Sequence, residues 1–253
     1  MRSGERTNPL SVLERADRLL RAFGPDEVGL GISELARRSE LPKATALRLA
    51  NQMVELGLLE RDRSVYRPGI RLFELGCGAP ARRCLSEAAL PYMQELGNST
   101  QHTVHLGMLS GPDVLYLDKV AGRLGAPNIT RIGTRKPPHC TALGKALLSH
   151  SSVAAVQAVC SRPLLRLTAH TVTHPERLVG ELHRVRVEGL AYDREECALG
   201  LVCVAAPILD ERGQAVAAVS VSGSSNRFDP DRVGPQVRHA AKAVTTQLLG
   251  LVA

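Results

Sequence analysis

The sequence predicts a mixed α/β protein in two parts: three helices with a hairpin, followed by an α+β domain. Apolar residues recur at helical spacing early in the chain, whereas alternating and continuous apolar runs, typical of strands, dominate the later part. Between them, Gly76 to Arg83 reads GCGAPARR and predicts a linker, and the pattern from Leu85 to Leu96 predicts a linker helix. We therefore expect domains at 1–75 and 98–253, joined through 76–97.

The composition is that of a globular chain. Its 253 residues are 44% hydrophobic and 23% charged, which allows a sizeable core without disulfide or metal cross-links. Aromatic residues make up only 3%, so stacking surfaces for single-stranded nucleic acid are not expected, and the net charge of +7 favours a polyanionic partner. The six cysteines lack C-x-x-C spacing, and we find no secretory leader or bilayer-long apolar run. We expect a cytoplasmic protein with free thiols, no membrane partner and no cofactor.

Three helices are predicted in the first part. An apolar stripe from Leu10 to Phe23 marks the first, and Gly24-Pro25 ends it, since Pro cannot continue a helix. The second is short, over residues 32–38, with apolar Ile32, Leu35 and Ala36 and with Ser33 as a candidate N-cap. The third begins near Pro42 and runs to Leu56. A short helix, a tight turn and a longer helix are typical of a helix-turn-helix.

The third helix has two contrasting sides. One is apolar at the spacing of a buried face, with Ala46, Leu49, Ala50 and Met53. The other carries short polar, apolar or cationic side chains and no carboxylate, at Lys43, Thr45, Leu47, Arg48 and Asn51. A helix in the DNA major groove needs such a surface, because carboxylates would be repelled by phosphates and Arg can bind guanine O6 and N7 together.

A basic hairpin follows. The segments 58–61 and 65–68 flank Asp62-Arg63-Ser64, which predicts a β-hairpin that would act as a wing. From Arg37 to Arg71 there are eight basic and four acidic residues, a net charge of +4. The alternative is a solvated helix face with a charged hairpin. The acid-free face beside a basic hairpin favours double-stranded DNA as the partner. The expected DNA-contacting residues are Arg37, Arg38, Ser39, Lys43, Thr45, Leu47, Arg48, Asn51, Arg61 and Arg63.

Alternation and apolar runs predict an antiparallel sheet in the second part. Strands are expected around Val104–Met108 and Val114–Leu117, and a hairpin from the runs Leu201–Leu209 and Ala215–Val221. Helical patterns occupy Thr141–Leu148, Pro175–Val187 and Asp231–Leu251.

Both parts resemble one known family. The stretches LSVLERADRLLRAF, ISELARRSELPKATALRLANQMVELGLLERD and YRPGIRLFELG are similar to the winged helix-turn-helix of the isocitrate lyase regulator (IclR) family. HCTALGKALLS (His139–Ser149) and GLAYDREECALGLVCVAAPILDERGQAVAAVSVSG (Gly189–Gly223) resemble its C-terminal signature. The resemblance extends from Leu10 to the C-terminus. It implies a transcription regulator, usually a repressor, with a GAF-like effector-binding domain. It also implies a palindromic operator and a homodimer that can pair into a dimer of dimers.

The resemblance also implies a small-molecule pocket, lined by Ala142, Leu143, Asp193, Leu201, Cys203, Ser220 and Ser222. Ser220 and Ser222 are two apart, so on a strand they share a face, although they could instead satisfy backbone groups at the strand end. By composition alone Cys203 would be a buried core thiol. A helix start beside such a pocket favours anions, so a small organic acid is the expected effector. Leu47 departs from the family, in which His or an aromatic residue is frequent, and this leaves the operator sequence open.

Other functions remain open from the sequence. The regulator could be ligand-independent or an activator, the second domain could serve protein interaction, or Asp193 and Cys203 could process a metabolite. Leu143-Gly144-Lys145-Ala146 lacks the upstream Gly and the hydroxyl residue of a P-loop, and G-x-S-x-G is absent.

The histidines and cysteines give weak signals. His102 and His105 point to opposite faces of a strand, and His170 and His174 lie in a predicted loop, so no metal site is expected. Nothing in the sequence indicates a lowered thiol pKa at Cys140 or Cys203, the two cysteines considered for a redox role.

Overall fold

The computed structural model describes residues 10–24, 27–78, 80–124 and 130–252, and the chain divides into two compact units, 1–80 and 81–253. The predicted helix stop at Pro25 and Ala79 of the predicted linker lie outside the described residues. In the first unit the described elements are α1 (Val12–Arg21), β1 (Leu30–Gly31), α2 (Ile32–Ser39), α3 (Lys43–Glu55), β2 (Leu59–Asp62), β3 (Val65–Pro68) and α4 (Ile70–Cys77).

The first unit confirms the predicted helices and hairpin. A reciprocal pair of hydrogen bonds caps α1: Glu14 N donates to Ser11 Oγ at 3.2 Å, and Ser11 N donates to a carboxylate oxygen of Glu14 at 2.6 Å. Ser33 is not the N-cap of α2, because the helix already begins at Ile32 and Gly31 occupies the cap position. Glu40, in the left-handed conformation, ends α2 and starts the turn into α3.

A small sheet in the order β1-β3-β2 packs against these helices. The hairpin turn has Arg63 at φ +55°, and Tyr66 of β3 is buried in the core with Leu35 and Leu49. The short strand β1 and helix α4 were not predicted. Helix occupies much of the predicted linker, since α4 ends at Cys77 and the next helix begins at Pro80.

The second unit is a six-stranded antiparallel sheet between helices. Its strands follow the order β6-β5-β4-β9-β8-β7. The elements are α5 (Pro80–Thr100), β4 (Thr103–Ser110), β5 (Asp113–Val120), β6 (Arg135–Lys136), a 3₁₀ helix (Pro138–Cys140), α6 (Ala142–Ser149), α7 (Val153–Cys160), α8 (Pro175–Glu188), β7 (Ala191–Arg194), β8 (Leu201–Leu209), β9 (Ala215–Ser224) and α9 (Pro230–Val252). β6, α7 and β7 were not predicted. No helix in the described part of the chain has the length and apolar character needed to cross a membrane.

The two faces of this sheet have different residues. Large apolar side chains such as Leu106, Ile208 and Val219 face α5 and α9 and form the main core. The other face holds α6, and there the strands present small residues, including Ala205 and Ala218. Because successive strand residues point to opposite faces, one alternating sequence builds both layers.

We expect Gly144→Ala to destabilise the second unit. A Cβ at Gly144 would lie 2.3 Å from the carbonyl oxygen of Pro138, so the start of α6 would have to move. The expected loss in free energy of unfolding is about 1–3 kcal/mol, measured by chemical denaturation. The matched control is Gly180→Ala in α8, where nothing lies within 4 Å. There the better helix former should add about 0.5–1 kcal/mol. Equal effects at the two sites would contradict this account.

Candidate functional site

The exposed side of α3 is cationic. Lys43, Leu47 and Arg48 are exposed and Thr45 is half-buried beside them, while the predicted apolar face is buried. Within the described residues, Lys43 and Arg48 have no carboxylate partner. Their charges are therefore available to phosphates and base edges.

Three other predicted contact residues are held within the first unit. Arg38 donates to a carboxylate oxygen of Glu27 at 2.7 Å. Ser39 is 2% exposed, and its hydroxyl donates to a carbonyl one turn earlier in its own helix at 2.7 Å. Asn51 accepts a hydrogen bond of 3.0 Å from the Tyr66 hydroxyl. Ser39 is therefore inaccessible in this structure, and the engaged groups of Arg38 and Asn51 stabilise the unit. Contact of Arg38 and Asn51 with DNA stays a prediction.

The remaining predicted cations lie at the surface. Arg61 Nε donates to the carbonyl oxygen of Arg63 at 2.9 Å, and its guanidinium lies 5.4 Å from the centre of the Tyr66 ring. Arg63 itself is exposed at the tip of the hairpin. Arg37 forms an exposed ion pair with Glu34 at 2.6 Å. Such surface pairs are weak, so Arg37 can exchange its partner for a phosphate.

A cavity in the second unit has a polar floor made by paired residues of neighbouring strands. One row crosses β4, β9, β8 and β7, with Thr103, Ser222, Cys203 and Asp193. A second row crosses β5, β4 and β9, with Lys119, His105 and Ser220. Directly paired residues share a face of the sheet, so all these side chains point into the same cavity, whose lining includes each of them.

The walls come from other elements. Thr141 and Leu143 contribute the start of α6, and Tyr116, Thr130, Cys197 and Leu201 complete the lining. Its volume, taken as the space open to the centre of a water molecule, is about 30 Å³. With these side-chain positions the cavity therefore suits a very small molecule.

Six of the seven residues predicted for the pocket line this cavity. They are Leu143, Asp193, Leu201, Cys203, Ser220 and Ser222. Ala142 does not; it is buried in apolar contacts behind the start of α6. Thr103 and His105 also line the cavity and were not predicted from the sequence. Alternation along β4 could have found them, because Val104 and Leu106 face the main core and the residues between them face the cavity.

Asp193 is buried at the edge of the sheet. Burial raises its pKa to about 8, and the neighbouring Cys197 adds to the rise. One carboxyl oxygen accepts from the backbone N–H groups of Glu196, at 2.8 Å, and Cys197, at 3.3 Å. This side chain therefore fixes the turn after β7 and is mostly a neutral acid at pH 7.

His105 is also neutral at pH 7. Burial, with the positive charge of Lys119, lowers its pKa to about 3. Its Nε2 lies 2.6 Å from the Thr130 hydroxyl, and its ring meets Tyr116 edge to face at 5.3 Å. Lys119 Nζ donates to the carbonyl oxygen of Thr130 at 2.9 Å, and burial lowers the pKa of this amine. The cavity therefore combines neutral polar groups with one amine.

A buried ion-pair network lies behind the start of α6. Lys145 is fully buried, and its ammonium donates to Glu181 of α8 at 2.7 Å and to Glu196 at 2.6 Å. Burial alone would lower the pKa of Lys145, but the two carboxylates raise it above its ordinary value. The network joins α6, α8 and the turn after β7.

The first unit is a helix-turn-helix with a basic exposed face and a wing, and the second is a sheet with a polar cavity. This combination defines a DNA-binding transcriptional regulator. The comparisons with known proteins agree. The IclR helix-turn-helix domain matches residues 12–63, and the domain described as "Bacterial transcriptional regulator IclR C-terminal" matches residues 79–246. The chain belongs to the IclR family of transcriptional regulators.

Named relatives cover most of the chain. The "HTH-type transcriptional regulator KdgR" of Dickeya chrysanthemi is 35% identical over 84% of this chain and 70% of its own length. The "Transcriptional repressor IclR" of Escherichia coli (strain K12) is 31% identical over 97% of this chain and 92% of its own. A crystal structure of an IclR homolog from Microbacterium hydrocarbonoxydans complexed with 4-hydroxybenzoate has a TM-score of 0.87 and 31% identity, over 94% of this chain and 99% of that one.

Asp193→Asn is expected to change how stability depends on pH. The folded pKa of about 8 lies above the unfolded value near 4. Between about pH 4 and pH 8 the folded protein therefore binds more protons at Asp193 than the unfolded chain does. The unfolding free energy of wild type falls as pH rises through this range. Asn resembles the neutral acid and does not titrate, so the variant should gain on wild type by up to about 1.4 kcal/mol per pH unit. Denaturant unfolding at several pH values measures the difference.

The control for this experiment is Thr103→Val, a change of similar size in the same cavity that adds or removes no titrating group. Its difference from wild type should not vary with pH over the window. A constant difference for Asp193→Asn would show that Asp193 is ionised in the folded protein.

Proposed function

We propose that this protein is a repressor whose binding to a palindromic operator is controlled by a small organic acid held in the cavity. The observation that supports this most is the row of four polar residues across the sheet, beside the start of α6. Such buried polar groups converging on one space are typical of a binding site. Relatives include proteins named "Acetate operon repressor" and "Transcriptional repressor IclR", which favours repression.

The DNA contacts would come from α3 and the hairpin. Arg48, Lys43, Thr45 and Leu47 would face the major groove, and Leu47 suits a thymine methyl group. Arg61, Arg63 and Arg37 would bind phosphates, which fix the position of the protein but do not read sequence.

A homodimer would match a palindromic operator. We infer that a second copy covers apolar side chains exposed in the first unit, at Leu13, Ile70, Phe73 and Leu75. Two recognition helices related by two-fold symmetry would then meet two half-sites. Pairing of dimers through the second unit would give the tetramer.

A carboxylate fits the chemistry of the cavity. The first turn of α6 presents backbone N–H groups with the positive end of the helix dipole, and Lys119 supplies an amine. Asp193, protonated at neutral pH, would donate to the ligand and not repel it. The Microbacterium homolog was crystallised with 4-hydroxybenzoate, itself a small organic acid.

Catalysis in this cavity is not favoured. Burial raises the pKa of the Cys203 thiol well above its ordinary value, so it is a poor nucleophile. His105 holds no proton to give as an imidazolium at neutral pH. We infer binding without turnover.

Arg48→Ala is expected to relax sequence preference, and Arg63→Ala to weaken binding to all sequences. Loss of a bidentate base contact costs roughly 1–3 kcal/mol of discrimination between base sequences. Loss of a phosphate contact makes the slope of log K against log salt shallower by about 0.9.

Fluorescence anisotropy would measure the binding of each variant to duplexes enriched from genomic DNA by the purified protein. Arg177→Ala, an exposed arginine of α8, is the control and should bind like wild type. Equal binding of wild type to enriched and scrambled duplexes would contradict a specific regulator.

Small acids are expected to raise the melting temperature. At a concentration about 100 times Kd, a ligand adds about 2.7 kcal/mol of stability. The panel would begin with two- to four-carbon acids, which suit the size of the cavity, and include 4-hydroxybenzoate. Ser220→Ala combined with Ser222→Ala should reduce the shift, and Ser161→Ala, at the end of α7, should not. Full ligand affinity in the double variant would place the binding site elsewhere.

A further inference from the structure

A groove separate from the cavity lies between α8 and β7, the strand at the edge of the sheet. Its lining includes Glu181, Arg184, Val185 and Glu188 of α8, together with Leu190 and Glu196. The four α8 residues follow helical spacing and share one face of the helix. The volume of the groove, again as the space open to the centre of a water molecule, is about 300 Å³. The groove therefore has room for a molecule of several carbon atoms.

One side chain of the groove is a buried carboxylate with an unused oxygen. The Glu196 side chain is 8% exposed, and one of its oxygens accepts a hydrogen bond from the Lys145 ammonium at 2.6 Å. The other oxygen is shielded from water and has no hydrogen-bond partner among the described residues. Such orphaned polar atoms are rare in folded proteins, and a bound molecule is one source of the missing donor.

The carboxylates of the groove carry more charge than the buried ammonium neutralises. Glu181 and Glu196 share the single positive charge of Lys145, at 2.7 and 2.6 Å. Glu188 adds a third carboxylate on the same face of α8, and it is exposed.

The arginines of the groove do not balance this charge. Arg194, which also lines the groove, donates to both carboxylate oxygens of Asp231 at 2.9 Å. Arg184 is exposed and forms no ion pair in the part of the chain that the structure describes. Even with Arg184 counted, the groove keeps a net negative charge, which favours a cation as its occupant.

An organic ammonium suits the groove better than a metal ion does. Among the described residues, no group of three or more His, Cys, Asp or Glu side chains is placed to hold a metal ion. An ammonium group instead donates to single carboxylate oxygens, as Lys145 does here. Val185 and Leu190 give the groove an apolar wall that a short alkyl chain can contact.

We propose that the groove between α8 and β7 binds a short primary alkylammonium ion, which donates to the unused oxygen of Glu196 and to the carboxylate of Glu181. This second ligand site is distinct from the cavity that the proposed function assigns to an acid. The two sites meet at the turn after β7, because the backbone N–H of Glu196 donates to the carboxyl of Asp193 at 2.8 Å and Asp193 lines the cavity.

The test is calorimetric titration of the full-length protein with n-butylammonium chloride at constant ionic strength. Tetramethylammonium chloride is the matched control, because this cation has the same composition and charge but no N–H group. Butylammonium should bind with a Kd of about 1 mM or below. Tetramethylammonium should bind at least about tenfold more weakly, since it cannot donate a hydrogen bond to a carboxylate. Equal affinities, or no binding of butylammonium up to about 10 mM, would overturn the proposal.

Variants test the position of the site. Glu181→Gln removes one charge and leaves Lys145 paired with Glu196, whereas Glu196→Gln removes the unused carboxylate oxygen itself. Each should weaken butylammonium binding about tenfold or more. Glu176→Gln, in the exposed first turn of α8 and outside the groove, should bind like wild type.

Wild-type affinity in Glu181→Gln would place the ammonium elsewhere and would overturn the proposal. That variant decides the matter even if Glu196→Gln does not fold, because Glu181 is only partly buried. No DNA or organic acid is used, so failure here is distinct from failure of the proposed function.

Discussion

The buried Lys145 ammonium is the interaction on which the cavity depends. A cation without water contact is costly unless carboxylates surround it, and here Glu181 and Glu196 do so from two other elements. One oxygen of Glu196 has no hydrogen-bond partner among the described residues, so its position depends on Lys145. The pair and the hydrogen bonds accepted by Asp193 together fix the turn after β7, and that turn places Cys197 at the cavity. A charge outside the cavity thereby determines which groups face it.

Helix α6, which carries Lys145, also forms part of the cavity wall with its first turn. Small residues on the sheet let α6 approach closely, and Gly144 allows it to touch Pro138. Where the helix begins, the strand residues change from alanine to serine, threonine and cysteine, and the space between helix and sheet becomes polar. The sheet therefore forms an apolar core under the body of α6 and a polar cavity at its N-terminus. One strand face provides both because the composition changes along it, from Ala218 to Ser220 and Ser222.

Local sequence patterns predicted the helices and strands. Contacts between residues distant in sequence determine which side chains are available at the α3 surface and in the cavity. The apolar stripe of α3 and the alternation of β4 follow from neighbouring residues, and both were predicted. Ser220 and Ser222 were found from strand spacing together with the family resemblance. Lys119 was missed because its place opposite His105 depends on strand register, which no local pattern specifies. Asn51 has a polar side chain on the solvent side of its helix, but Tyr66, fifteen residues later, engages it.

The cations on α3 and the titratable groups of the cavity differ in their exposure to water, and this difference determines their charge. On α3 the cations are exposed, so they stay charged and act over distances that salt shortens. In the cavity, burial raises the pKa of Asp193 and lowers that of His105, so both are mostly neutral near pH 7 and recognition falls to hydrogen bonds and one amine. Salt therefore weakens attraction to a polyanion far more than it weakens the contacts inside the cavity. Binding at the cavity should respond instead to pH, through Asp193, and to the size of the ligand.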